Sequence, residues 1–284
     1  KYLHNHFKNK NYSIIQTTLF INSVIVRFSL PKKYNNRAIA TIRTTSYKWW
    51  QYLFEYYFIR KYLLITNSKT VFDKLFKFKI FKKNLHYIPN GFKINDSKLL
   101  IKNSNKKIRI GIVGRFSFEK NQILLLRALK TIDKKNISIS LYGRKGPSYH
   151  TILEYIEKNN LKKIVKIFLS ESNPKKIYSR LDIIVLPSLY EGFPNVLYEA
   201  MLFKKICLIS NLANKDMHVK DKVNGFIFKN NPNDLSNVIN FAIKNKNTNL
   251  MIDIKNYAYE QVKNRFSLDK ICKQYEKIYL SIGH

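Results

Sequence analysis

Residues 186–201 read Leu-Pro-Ser-Leu-Tyr-Glu-Gly-Phe-Pro-Asn-Val-Leu-Tyr-Glu-Ala-Met. Just before them, Asp182-Ile183-Ile184-Val185 is a short apolar run that is typical of a buried parallel strand. The good helix formers that follow Pro194 favour a helix from about Asn195. The segment therefore predicts a strand, a tight loop and a helix. In open α/β sheets, ligands bind beyond the carboxyl ends of strands, so this loop is a candidate ligand site.

Two glutamates mark this segment, Glu191 in the loop and Glu199 about one turn into the helix. Their spacing argues against a coupled acid pair, because the two carboxylates face different parts of a ligand. Each carboxylate can accept hydrogen bonds from sugar hydroxyls. Gly192 lets the backbone approach a ligand, and the helix opening at Pro194–Asn195 points its positive end over the loop. Either glutamate alone could be an ordinary surface charge, but together they favour a ligand site.

Alternating strand and helix patterns surround this segment. In the first part of the chain, the pattern predicts a strand running into a loop at 12–20, a strand at 38–43, a short strand ending in a helix cap at 63–68, and a strand and a turn at 85–91. It predicts helices at 21–28, 48–64 and 69–80. The second part predicts strands at 108–113, 137–142, 164–168, 183–187 and 206–209, and helices at 119–133, 148–159, 174–180, from 195, and at 233–245, 250–264 and 268–281. This alternation is typical of an α/β fold with parallel, doubly wound sheets.

The pattern also predicts two domains. Residues 93–107 are polar, rich in Lys and Asn, and without clear period, so we interpret them as a linker. The first domain, residues 1–92, supplies only three or four predicted strands, and we expect it to be incomplete because an opening strand–loop–helix unit is lacking. The second domain is expected at 108–264. The sequence begins at Lys1 rather than Met, so an upstream segment is a candidate for the lacking unit.

The chain carries a formal net charge of +34, from 52 Lys and Arg against 18 Asp and Glu. Such a charge favours a polyanionic partner, either a nucleic acid or an anionic membrane surface. The alternative, which we favour as the main cause, is a compositional bias toward Lys, Asn and Ile. The lysines are scattered rather than clustered with arginines, which argues against nucleic-acid binding. Attraction to acidic lipid headgroups still follows from the charge.

Cysteine content and hydropathy indicate the cellular compartment in which the protein resides. Cys207 and Cys272 are far apart in the sequence, which fits neither a disulfide framework nor a metal cluster and suits a reducing cytoplasm. No apolar run reaches about 18 residues, so no transmembrane helix is expected. We expect a cytoplasmic protein, and a peripheral position on the cytoplasmic face of the inner membrane is left open. We interpret the aromatic helix predicted at 48–64 as packing against its own sheet, with a position in a membrane interface as the alternative.

A second candidate loop, Gly111–Asn121, follows the first strand of the second domain and precedes a predicted helix. Backbone N–H groups at a helix N-terminus suit a phosphate group. Gly114 lies in this loop, and Arg115 and Lys120 add positive charge beside it. The Gly-x-x-Gly motif is common before helices, so alone it is weak evidence. Arg115 and Lys120 could equally be two solvated basic residues.

Together the two loops resemble those of a known enzyme family. The segment Glu191–Met201 is similar to the highly specific E-x7-E signature of the GT4 family of retaining, GT-B-fold glycosyltransferases. Gly114-Arg115 with Glu119-Lys120-Asn121 is similar to the phosphate-binding loop of that family. Further resemblances cover nearly all of the chain from about residue 12, at residues 88–91, 214–216, 223–226 and 265–267.

The resemblance implies a GT-B fold, with two Rossmann-like doubly wound domains facing a cleft and a C-terminal helix, residues 265–284, that returns to the first domain. It also implies donor-side roles. Arg115 and Lys120 would neutralise the diphosphate of a leaving nucleotide, and Glu199 would bind the ribose hydroxyls. The expected catalytic residues are Arg115, Lys120 and Glu191. The expected donor-binding residues are Gly114, Gly192, Phe193, Pro194, Asn195, Val196, Leu197 and Glu199.

The implied reaction moves a sugar, with retention of configuration, from a nucleotide-diphosphate sugar to a cell-envelope glycan or lipid-linked acceptor of lipopolysaccharide, capsule or exopolysaccharide type. Fixed cations and a helix end can stabilise the leaving diphosphate, so neither a metal nor a cofactor is expected. The sequence also contains no Asp-x-Asp motif.

The acceptor side departs from the family pattern. The glycine-rich loop that opens the first domain in the family has no counterpart here, and Gln16, Thr18 and Arg43 stand where many members have histidines. The alternative interpretation is therefore an inactive donor-binding remnant or a non-catalytic subunit.

Overall fold

The structure is a computed structural model that describes residues 1–43, 48–94 and 107–282. The chain divides into two compact units, of which the first comprises Lys1–Lys93 with Phe266–His284 and the second Ile94–Arg265. Residues 95–106 of the predicted linker lie outside the described residues.

The elements of the first part of the chain are α1 (Tyr2–Asn9), β1 (Ile15–Thr18), α2 (Phe20–Ser29), β2 (Ala38–Ile42), α3 (Trp49–Phe58), β3 (Leu63–Thr66), α4 (Lys69–Phe76) and β4 (Leu85–Tyr87). They are followed by β5 (Ile108–Val113), α5 (Gln122–Ala128), β6 (Ile137–Tyr142), α6 (Tyr149–Lys158), β7 (Val165–Phe168), α7 (Pro174–Ser179), β8 (Ile183–Leu186), α8 (Asn195–Leu202), β9 (Ile206–Ser210), β10 (Phe226–Phe228), α9 (Pro232–Asn245) and α10 (Asn249–Phe266). The last helix is α11 (Leu268–Ile282).

The first unit is built on a four-stranded parallel sheet in the order β1-β2-β3-β4. Every residue of the inner strand β2 is buried, because helices cover both faces of the sheet. On one face, α4 and the end of α3 contribute to a cluster that includes Ala40, Ile42, Ile59, Leu64, Val71 and Leu75. On the other face, α11 packs in a cluster of Ile39, Ile65, Ile88, Ile271 and Ile278.

The second unit is built on a six-stranded parallel sheet in the order β10-β9-β8-β5-β6-β7. Its first strand in sequence, β5, lies in the middle, where Ile110 aligns with Ile139 of β6 on one side and with Ile183 of β8 on the other. The strand order therefore reverses between β5 and β8. Such a switch point opens a crevice at the carboxyl ends of the two strands. The predicted α/β class with parallel, doubly wound sheets is confirmed.

Three predicted helices are wrong in their bounds. The helix predicted at 69–80 ends at Phe76, and a 3-10 turn at Lys79–Phe81 that buries Phe81 follows it. The aromatic helix predicted at 48–64 ends at Phe58, and residues 59–62 turn directly into β3. No Gly or Pro marks this end, and burial of Leu64 and Ile65 in the sheet decides it. The helix predicted at 119–133 is only α5, because a 3-10 turn and the left-handed Asn121 (φ 48°) precede it. Asn tolerates this backbone conformation better than most residues.

Two elements, α1 and β10, had no counterpart in the predicted pattern. The strand β10 has only three residues, and a strand this short gives little periodicity to detect. None of the helices in the described ranges is both long enough and apolar enough to cross a lipid bilayer.

A buried ion pair joins α2 to α3 in the first unit. Arg27 Nη1 lies 2.6 Å from Glu55 Oε2, and the two side chains are only 3% and 1% exposed. The guanidinium carbon of Arg27 lies 5.6–5.7 Å from the ring centres of Phe54, Phe58 and Tyr62. Cation and acid thus share an aromatic interior, where neither charge can be left alone at low cost.

Replacement of one partner should therefore destabilise the first unit strongly. Glu55→Ala should lower its unfolding free energy by about 3–5 kcal/mol, whereas Arg27→Met combined with Glu55→Leu should recover most of the loss. The only tryptophans of the sequence both lie in α3, so tryptophan fluorescence during urea unfolding reports on this unit. Asp73→Ala, which breaks an exposed ion pair on α4, is the control and should cost less than about 1 kcal/mol. An equal loss in Glu55→Ala and the control would contradict this account.

Candidate functional site

The two candidate loops lie at the carboxyl ends of neighbouring strands in the second unit. The loop at 114–121 follows β5, the loop at 187–194 follows β8, and these strands pair in parallel. The backbone N–H of Leu189 donates to the carbonyl of Glu119 at 2.9 Å, which fixes one loop against the other. The switch point between β5 and β8 therefore brings together segments that are far apart in the sequence.

An ion pair connects the two loops. Lys120 Nζ donates to Glu191 Oε1 at 2.7 Å, with side-chain exposures of 26% and 10%. The Ser188 hydroxyl donates to the same carboxylate oxygen at 2.7 Å. The structure thus places the predicted residues Lys120 and Glu191 in direct contact. Sequence reasoning missed Ser188, although its position three residues before Glu191 in the same loop was a usable signal.

The predicted residue Arg115 has a different partner. Its Nη2 donates to Glu119 Oε1 at 3.1 Å, and its side chain is 61% exposed. The pKa of the Glu119 carboxyl is lowered, mainly by a hydrogen bond from the Ser117 side chain and less by Arg115. Arg115 is therefore held at the surface by an exposed ion pair, a kind of contact that contributes little binding energy.

Glu199 lies in a separate, half-buried position on α8. The Tyr178 hydroxyl lies 2.8 Å from Glu199 Oε2 and 3.2 Å from the carbonyl of Val196. Burial raises the pKa of the Glu199 carboxyl, and the hydrogen bond from Tyr178 opposes this rise. Within the described ranges, no hydrogen bond or ion pair joins Glu199 to Arg115 or Lys120. Tyr178 comes from α7, and nothing in the local sequence predicted its contact with Glu199.

The start of α8 combines a buried aromatic anchor with a helix N-terminus that no side chain caps. The ring of Phe193 stacks on Tyr198 with 4.7 Å between centres, and Leu197 is fully buried. Pro194 precedes α8, and no side chain caps the helix at that position. Gly192 is half-buried, and Asn195 is exposed at the first turn. The buried side chains of Phe193 and Leu197 thus hold the loop in place, and the backbone N–H of Asn195 donates to the carbonyl of Phe193 at 3.0 Å.

A third loop, after β6, supports the loop after β5. A Cβ atom at Gly143 would lie 2.0 Å from the carbonyl oxygen of Gly114, and one at Gly146 would lie 2.4 Å from that of Phe116. The Gln122 side chain donates to the carbonyl of Arg115 at 2.8 Å. Only glycine permits this close approach of backbones. Sequence reasoning missed Gly143 and Gly146, which form a second Gly-x-x-Gly directly after a strand.

The buried His218 contacts both aromatic residues of this anchor, Phe193 and Tyr198. His218 Nδ1 is 2.8 Å from the Tyr198 hydroxyl, and the His218 ring lies edge-on to Phe193 with 6.1 Å between centres. Burial lowers the pKa of the His218 imidazole to about 4. The other ring nitrogen, Nε2, is buried without a hydrogen-bond partner among the described residues. No sequence spacing identified this histidine.

No group of three or more His, Cys, Asp or Glu side chains is arranged to hold a metal ion within residues 1–43, 48–94 and 107–282. The polar side chains that the two loops bring together are cations, carboxylates and hydroxyls. Such a set can bind an anionic group and a polyhydroxylated group side by side.

The comparison with known families agrees with this chemistry. Residues 95–261, more than half of the chain, match the model of a family described as glycosyl transferases group 1. The chain therefore belongs to the group 1 glycosyltransferases. The matched range contains both candidate loops and nearly the whole second unit.

Two relatives illustrate the range of the family. The chain is 27% identical over 230 residues to the capsular polysaccharide biosynthesis glycosyltransferase CapH of Staphylococcus aureus, covering 79% of this chain and 61% of CapH. It is 24% identical over 209 residues to a UDP-Gal:alpha-D-GlcNAc-diphosphoundecaprenol alpha-1,3-galactosyltransferase of Escherichia coli, covering 69% of this chain and 54% of that enzyme. The chain thus spans less than two thirds of either relative.

Solved structures of similar fold support the GT-B architecture. A glycosyltransferase from Rickettsia africae superposes with a TM-score of 0.81 at 19% identity, covering 99% of this chain and 79% of the other. The Anabaena protein HepE, solved in complex with UDP-glucose, superposes with a TM-score of 0.75 at 21% identity, covering 92% and 74%. At these identities the likeness establishes the fold, which is of the GT-B type.

The depressed pKa of His218 predicts a pH-dependent stability. The folded protein keeps His218 neutral, whereas the unfolded chain takes up a proton below about pH 6.5, so stability is lost as pH falls from about 6.5 to 4. The loss should reach about 3 kcal/mol at pH 4. His218→Gln should remove this part of the pH dependence, whereas the exposed His150→Gln should not. Calorimetric unfolding from pH 7 to pH 4 measures the difference, and parallel curves for wild type and His218→Gln would refute the prediction.

Proposed function

We propose that this chain is a glycosyltransferase of the GT4 type that moves a sugar from a nucleotide-diphosphate sugar to a cell-envelope glycan or lipid-linked acceptor. The observation that carries the proposal is the contact between Lys120 and Glu191 at the switch point of a group 1 glycosyltransferase. It joins a cation suited to phosphate and a carboxylate suited to sugar hydroxyls. Retention of configuration and independence of metal belong to the proposal.

Lys120 is placed to bind the diphosphate without leaving Glu191. A lysine ammonium has three donors, and Glu191 takes one of them. The other two remain for phosphate oxygens, and Arg115 can move in from the surface. Departure of a nucleoside diphosphate builds up negative charge, which fixed cations stabilise most when they are positioned in advance. The positive end of the α8 helix dipole would add to this stabilisation.

The two carboxylates each keep one oxygen for the donor. Lys120 and Ser188 both bind Oε1 of Glu191, which leaves Oε2 for hydroxyls of the sugar. Tyr178 binds Oε2 of Glu199, which leaves Oε1 for the ribose hydroxyls. The backbone at Gly114 and at 192–196, with Leu197 as its buried support, would line the rest of the donor site.

The names of similar proteins support the donor and acceptor classes. The E. coli relative is named for UDP-galactose and a diphosphoundecaprenol acceptor, and HepE was solved with UDP-glucose. We propose that residues 108–264 bind the donor and that residues 1–92, with α11, contribute the acceptor side. A lipid-linked acceptor would bring the protein to the cytoplasmic face of the inner membrane.

Substitutions in the site should weaken donor binding. Lys120→Met and Glu199→Gln should each raise the Kd for the preferred nucleotide sugar about tenfold or more, because a hydrogen bond to a charged group contributes about 1.5–3 kcal/mol. A thermal-shift screen of UDP-, GDP- and ADP-sugars identifies that donor, and calorimetry then gives the Kd. Lys162→Met, which removes an exposed lysine paired with Glu157, is the matched control and should bind normally.

Unchanged donor affinity in both site variants would overturn the site assignment. The alternative function, a donor-binding remnant or non-catalytic subunit, predicts normal donor binding by the wild type without any sugar release or transfer. Assay of UDP or GDP release in the presence of membrane lipid extract distinguishes it from the enzyme.

A further inference from the structure

The first unit exposes an unusually apolar surface on two neighbouring helices. The exposed side chains are Ile21, Ile25 and Phe28 on α2 and Trp49, Trp50, Leu53, Tyr56 and Tyr57 on α3, which we call the α2–α3 apolar face. Exposed fractions reach 75% at Trp49, 72% at Tyr57 and 70% at Phe28. A contiguous patch of large apolar side chains on a water-soluble unit usually marks an interaction surface.

The face is continuous across the two helices. The ring of Phe20 meets that of Trp50 with 5.2 Å between centres, and the ring of Phe28 meets that of Phe58 at 5.3 Å. These contacts pair the beginnings and the ends of α2 and α3, so the helices run side by side in the same direction. On each helix the exposed apolar residues recur every three to four positions, which places them on one side.

The face carries no exposed charge. Arg27 and Glu55 are the only charged residues within α2 and α3, and both are buried in their mutual ion pair. In residues 19–43 and 48–62, Glu55 is also the only acid. The exposed charged residues that flank α2 and α3 in residues 30–43, 48 and 59–62 are all basic, and we call them the basic border: Lys32, Lys33, Arg37, Arg43, Lys48, Arg60 and Lys61.

Beyond the end of α3, this basic border continues into a cavity. The cavity has a volume of about 790 Å³ and is lined by Arg37, Arg60 and Lys83 with no acidic residue. None of these three cations forms an ion pair with a described residue. Headgroup phosphates are a suitable counter-charge for such a cluster next to an apolar face.

We propose that the α2–α3 apolar face docks on the surface of an anionic lipid bilayer. Trp and Tyr rings prefer the headgroup level of a bilayer, aliphatic and Phe side chains enter the acyl boundary, and a basic border attracts acidic headgroups. A second copy of this chain is a poorer occupant, because pairing two such faces would bring two all-basic borders together. The inference extends the proposed function, whose lipid-linked acceptors lie at a membrane, but its test requires neither donor nor acceptor.

Binding of the full chain to vesicles tests the proposal. Vesicles of phosphatidylcholine with phosphatidylglycerol should bind the wild type and shift the fluorescence of its two tryptophans to the blue, because both lie on the face. The triple variant Trp49→Gln, Leu53→Gln, Tyr57→Gln should bind about tenfold more weakly or worse. The matched control is Leu250→Gln, Ile252→Gln, Tyr257→Gln on α10, which also replaces three exposed apolar residues.

Charge is tested separately. Arg60→Gln with Lys61→Gln should weaken binding to the anionic vesicles and leave the weaker binding to pure phosphatidylcholine unchanged. Equal vesicle binding by the apolar triple variant and its control, or a wild type without a blue shift, would overturn the proposal. So would a wild-type dimer that the triple variant converts to a monomer without any vesicle binding. Donor binding measured on the triple variant separates the two proposals, since it should remain normal.

Discussion

The second unit depends on one constraint, the pairing of β5 with a different neighbour on each side. The chain leaves β5 toward β6 and β7 and then returns to the opposite side at β8. Because the connections diverge there, the ends of β5 and β8 are not covered by their own crossovers. Both candidate loops lie at these ends. The contact between Lys120 and Glu191, which are 71 positions apart, is a consequence of strand order.

The sequence allowed the fold class and both loops to be predicted, because strand length, apolar runs and the E-x7-E segment are local signals. The supports of the site could not be predicted in the same way. Tyr178 reaches Glu199 from another helix, and His218, which follows β9 in the sequence, contacts Tyr198 of α8. The end of α3 could not be predicted either. It depends on the burial of Leu64 and Ile65 in the next strand, which the local sequence of the helix does not show. Gly143 is the exception, because a glycine pair after a strand was visible.

The side chains of the candidate site hold one another in place. Two donors fix one oxygen of Glu191, and Glu191 in turn fixes Lys120, so little side-chain freedom is left to lose on binding. The loop after β5 is also supported by the loop after β6, since the backbone at Gly143 lies against the carbonyl of Gly114. Arg115 is the contrast, because its side chain is 61% exposed and, among the described residues, its ion pair is with Glu119 alone. Lys120 is thus held between the two loops, whereas the side chain of Arg115 lies mostly in solvent.

The scarcity of acids in this chain has a consequence for how its charges are interpreted. The chain has 18 Asp and Glu against 52 Lys and Arg. A lysine at a given position therefore says little about function, whereas a sheltered carboxylate says much. Glu55 is enclosed between two helices, Asp182 holds Arg109 beside the central strands, and Glu191 links two loops. In proteins of such biased composition, shielded carboxylates identify the few basic residues that are held in specific contacts.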